Sequence, residues 1–173
     1  MIYPLVLLYI SHPEHAVFIS IYKIFGTLAK MILLNLYDPI RLLEPLSNDI
    51  LVFGSNTQGR HGKGSALLAK EKFEAIYGKA MGPQGRSYAI CTKDLTVKKH
   101  PSISQKHIIN QIRELYKYAA ENKSSNFLIV YSGEGENLNA YSHNEMANMF
   151  LTAEFDIPQN ILFQKSFAKY MTS

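Results

Sequence analysis

The chain has 173 residues, 47% of them hydrophobic and 18% charged, which is one domain's worth and excludes a disordered tract, a coiled coil, a collagen-like repeat and two domains with separate cores. A single cysteine, Cys91, excludes an internal disulfide and a cysteine zinc cage, and its simplest setting is a reducing, cytoplasmic compartment. Eighteen Lys and Arg against fourteen Asp and Glu give a net charge of +4, with no basic run longer than Lys98-Lys99, so there is no strong duplex-DNA signature, and a phosphate-bearing small ligand fits the excess equally well.

Residues 1–30 stand apart as an apolar N-terminal extension. Ile2–Ile10 is one apolar run, and Ala16–Tyr37 is a second, broken by Lys23 and Lys30. The length approaches a membrane span, but two interior lysines oppose insertion. No positive segment precedes the first run, as a signal peptide requires. Met31 opens the remainder, and 31–173 is read as the working domain.

From residue 32 strand-like and helix-like segments alternate. Ile32–Tyr37 reads as a first buried strand, followed by Asp38 as a turn residue before Pro39. Ile50–Phe53 reads as a second strand. Ser65–Tyr77 has a helical pattern that stops at Gly78. Ser87–Thr92 is the next strand. Ser104–Asn122 is the clearest helix, with Ile108, Ile112, Leu115, Tyr116 and Ala119 in one stripe. Asn126–Tyr131 reads as a strand, His143–Leu151 as a helix and Ile161–Phe163 as a last strand, with a terminal helix over Phe167–Met171. This alternation predicts an α/β domain with a largely parallel sheet covered on both faces. Ligands in such sheets bind beyond the C-terminal strand ends.

Three loops lie there. The first, Gly54–Ser65, carries Gly54, Gly59, Gly62 and Gly64 and runs into a helix. Glycines let backbone N–H groups approach an anion, and the helix N-terminus adds partial positive charge. Arg60, His61 and Lys63 add to it, and His61 reads as a pyrophosphate or ribose contact. The loop matches neither a Walker A motif nor a dinucleotide fingerprint. The second loop, after Thr92, carries Lys93 and Asp94, either a nucleophile with an acid beside it or a surface ion pair. The third, Ser132–Tyr141, frees its backbone at Gly133 and Gly135. Glu134 and Glu136 suit sugar hydroxyls or water activation better than phosphate. Tyr141 either stacks on a ligand or packs. The six histidines form no ligand pair at helical spacing, so neither a metal nor a cofactor is expected.

In order and spacing, Asp38, Asn56, Gly59–Ser65 and Gly133–Gly135 resemble the ADP-ribose-binding macrodomain family over residues 32–155. The resemblance implies a three-layer α/β/α fold with a mixed, largely parallel sheet. It also implies ligand contacts at Asp38, Gly54, Ser55, Asn56, Gly59, His61, Gly62, Gly64, Ser65, Thr92, Ser132, Gly133, Glu134, Gly135, Asn137 and Tyr141. Within that family, Thr92-Lys93 is similar to the terminal ADP-ribose glycohydrolases and antitoxin macrodomains, where the lysine acts at the anomeric carbon. The family's assisting acid falls on Asn137, with Glu136 one residue away, and Ala140 stands where glycine is common. An amide is no general base. The resemblance therefore implies either hydrolysis by Lys93 and Glu136, releasing ADP-ribose from a nucleic-acid or protein acceptor, or a module that binds ADP-ribose without cleaving it.

Overall fold

The computed structural model describes residues 34–130, 137–154 and 156–171. The N-terminal extension, the start of the first predicted strand, and Tyr131 to Glu136 lie outside them. Among the described residues six strands form one sheet: β1 (Asn35–Tyr37), β2 (Asp49–Asn56), β3 (Gly82–Gln84), β4 (Ser87–Lys93), β5 (Asn126–Ile129) and β6 (Ile161–Gln164). Their spatial order is β1-β6-β5-β2-β4-β3. Every pairing is parallel except β3 with β4. The helices are α1 (Gly64–Lys72), α2 (Gln105–Glu121) and α3 (His143–Ala153), with short 3-10 segments at Pro39–Leu42 and Lys165–Tyr170.

Alternation along each strand feeds two cores. Val52, Tyr88, Ile90, Phe127, Ile129, Ile161 and Phe163 face α2, α3 and the C-terminal 3-10 segment. Leu51, Phe53, Ala89 and Leu128 face α1 and Phe73 on the other side. The expected α/β architecture with helices on both faces is therefore present. The α2 stripe is as the periodicity predicts: Ile108, Ile112, Leu115, Tyr116 and Ala119 are all buried. Ser104 caps the helix by accepting from the His107 amide.

Four elements differ from the sequence reading. The strand read as Ile50–Phe53 runs on to Asn56, taking Gly54 and Ser55 into the sheet. The helix expected through Tyr77 stops at Lys72. Glu74 turns left-handed at φ 59, and the Ile76 amide donates to the Gln84 side chain at 2.7 Å. Ile76 and Tyr77 are consequently exposed. The third, β3, is absent from the sequence reading because Gly82-Pro83 has the composition of a turn. At the C-terminus the expected helix is the 3-10 segment instead.

Candidate functional site

The C-terminal ends of β2, β4 and β5 open onto a cleft of about 820 Å³. One wall is the glycine loop and the start of α1. The other is α3 and the residues before it, and Val52, Ile90, Ile129, Phe150 and Phe167 contribute apolar lining.

The glycine-loop wall brings basic side chains and an uncapped helix start to the cleft. Asn56 shapes it: its side-chain oxygen accepts from the Gln58 and Arg60 amides at 3.2 and 3.0 Å, and its nitrogen donates to the Arg60 carbonyl at 2.8 Å. Gly62 and Gly64 line the cleft, and a Cβ at either would meet no atom within 4 Å. The α1 N-cap, Lys63, makes no capping side-chain bond, and no acidic residue stands in the first turn. The first backbone bond of the helix is from the Leu67 amide to the Lys63 carbonyl, so the amides of Gly64, Ser65 and Ala66 precede the ladder and have no intrahelical acceptor. Arg60, Lys63 and Lys93 also line the cleft, and none of its described lining residues is acidic.

Lys93 is placed by an irregularity in the sheet. Ser55 pairs with Cys91, but the next residue, Asn56, pairs with Lys93, so β4 carries one extra residue at Thr92. Such a bulge re-aims the side chains beyond it. Thr92 and Lys93 both line the cleft, and the Thr57 amide donates to the Lys93 carbonyl at 2.9 Å. Asp94, read from sequence as a possible acid beside the lysine, has another task. Its carboxylate accepts from the Thr57 hydroxyl and from the amide and hydroxyl of Thr96. The Thr96 amide and hydroxyl hold its carboxyl below the usual carboxylate range. Asp94 thus ties the β4 loop to the glycine loop.

Several expected contacts lie elsewhere. Asp38 caps the 3-10 segment after β1 by accepting from the Ile40 amide, pairs with Lys165 at 3.7 Å and is outside the cleft lining. Gly59 sits at φ 61 with its α-carbon packed on the Gly78 backbone, where it serves the turn. His61 is fully buried, edge-on to Phe53 at 5.0 Å, and is outside the cleft lining. Tyr141 is buried, and its hydroxyl donates to the Ile103 carbonyl at 2.8 Å; it packs. Gly54, Ser55, Ser65 and Asn137 do line the cleft. Ser132, Gly133, Glu134, Gly135 and Glu136 lie outside the described residues.

The sequence reading missed His143. This first residue of α3 lines the cleft, its Nδ1 3.2 Å from the Asn137 side-chain nitrogen and its ring tilted against Tyr170 at 5.0 Å. The capping box of Ser142 and Glu145 fixes where α3 begins, and that signal could have located His143 at the strand-end face. Among the described residues no group of His, Cys, Asp and Glu is arranged to hold a metal ion, and no helix is long and apolar enough to cross a membrane.

Comparison with known protein families, curated proteins and solved structures found no match to this chain.

Proposed function

We propose that the chain is a macrodomain-like ADP-ribose-binding domain, working in a reducing cytoplasmic compartment. The carrying observation is the uncapped α1 N-terminus on the cleft, with Arg60, Lys63 and Lys93 beside it and apolar lining beyond. Orphan amides and a helix dipole together favour a phosphate group. The apolar lining suits a nucleobase or ribose face.

Titration calorimetry with ADP-ribose tests this reading. Saturable one-to-one binding is expected, with adenosine at least roughly tenfold weaker for want of phosphates. Equal affinity for adenosine would count against the phosphate cradle, and no binding would remove the proposal.

Lys93 favours a second step. The bulge delivers it to the cleft, and no salt bridge engages it among the described residues. In this reading its amine attacks the anomeric carbon of the distal ribose. The bond to the acceptor breaks and its electron pair leaves on the acceptor atom, which takes up a proton. Water then releases ADP-ribose and regenerates the amine. Glu136 is the proposed proton carrier. Lys93→Ala should abolish release of ADP-ribose from modified DNA or protein while binding persists; wild-type binding without any release would leave a pure binding module.

A further inference from the structure

His61 and Ser55 form a buried pair at the foot of the cleft. The His61 ring is 0% exposed, and its Nε2 lies 3.3 Å from the Ser55 Oγ. Its Nδ1 has no hydrogen-bond partner among the described residues. A neutral imidazole carries its proton on one nitrogen only. A proton on Nδ1 would bury an orphan N–H, which folded proteins avoid more strictly than an orphan acceptor. The proton therefore belongs on Nε2, donating to Ser55. With Oγ already accepting from behind, the Ser55 hydroxyl proton is turned away from the histidine. Ser55 lines the cleft, beside the mouth of the glycine loop.

We propose that His61 is a positioning residue: its Nε2–H donates to Ser55 from inside the core, so that the Ser55 hydroxyl donates into the cleft, to a phosphate oxygen of the bound nucleotide. This rests on the anion-binding reading of the cleft and adds a donor to it. It also gives the buried ring a task that packing on Phe53 alone does not require.

A double-mutant cycle on the full chain tests it, with ADP-ribose and, separately, inorganic pyrophosphate as titrants. Ser55→Ala and His61→Phe should each weaken binding by roughly tenfold, the scale of one hydrogen bond to a charged group. The double variant should be no weaker than the poorer single, because both remove the same donor. Losses that multiply to about a hundredfold would overturn the proposal. Wild-type ring-nitrogen NMR supplies a readout that needs neither variant to fold: the His61 signals should report the Nε2-protonated neutral form, and an Nδ1-protonated ring would overturn the assignment. Binding of pyrophosphate but not ADP-ribose would remove the nucleotide reading and leave the cycle on pyrophosphate to decide this one. Binding of neither would overturn both.

Discussion

The Gly78 amide donates to the Gly59 carbonyl at 3.0 Å, and the two backbones pack so closely that a Cβ on Gly59 would overlap Gly78 and Lys79. This contact clamps the glycine loop to the segment that follows α1. Gly59→Ala adds that overlap to a left-handed backbone at φ 61, and should cost about 2–3 kcal/mol in chemical denaturation. Gly62→Ala is the control. Its Cβ meets nothing within 4 Å, so stability should hold within about 0.5 kcal/mol, while a methyl on the cleft wall should weaken ADP-ribose binding in calorimetry.

Ala140 sits at φ 64, between the Asn137 carbonyl, to which its amide donates at 2.8 Å, and the buried Tyr141. A side chain in that region costs about 1 kcal/mol or more. Ala140→Gly should therefore stabilise the protein by about 0.5–1 kcal/mol, read as a higher midpoint in urea. A lower midpoint would show that chain entropy outweighs the relieved strain.

Asp49 is fully buried at the start of β2. Arg41 grips it with two bonds, at 2.6 and 2.9 Å, and the Leu46 amide and Asn126 side chain also donate to it. Burial pushes its carboxyl up, but these donors outweigh that and hold it below the usual range. A carboxylate with a depressed folded pKa stabilises the fold above its unfolded value near 3.9, and that contribution fades as pH falls further. Asp49→Asn should cost about 2–3 kcal/mol at pH 7, and should flatten the loss of stability below about pH 4. An unchanged acid limb would exclude this pair as its source.

His61 predicts a second pH dependence, at milder acidity. Burial, and then the charge of Lys70 on α1, hold its imidazole below the ordinary value. The unfolded chain therefore takes up a proton that the folded chain refuses. Stability is complete above about pH 6.5 and falls as pH drops below it, toward the folded value. Urea midpoints at pH 7 and pH 5.5 should differ for wild type and less so for His61→Phe. Equal slopes in the two proteins would place the effect on other groups.

Much of the fold was legible because it rests on long apolar patterns. The α2 stripe spans about three turns, and β5 and β6 bury most of the residues that their runs promised. Short-range chemistry was harder to read. The end of α1 depends on a left-handed Glu74 and on the Gln84 side chain ten residues away, neither visible as a periodic signal. The glycine loop lies at the strand ends, yet its residues divide by direction: Gly62 and Gly64 line the cleft, whereas Gly59 and His61 are packed inward. Spacing along the chain carries no such information. His143 was signalled only indirectly, by the capping box of Ser142 and Glu145, since its ring contact with Tyr170 arises only through the packing of α3.

The sheet ends at β3, three residues long with Pro83 at its centre. Proline has no backbone N–H, so this rim offers an incoming strand a broken row of donors, a common guard against runaway strand addition. Neighbours meeting the molecule on this side are left with side chains such as the exposed Met81 and Tyr77. Contact there would be by shape and apolar area, which can be reversed, and not by the continuous backbone pairing from which fibrils grow.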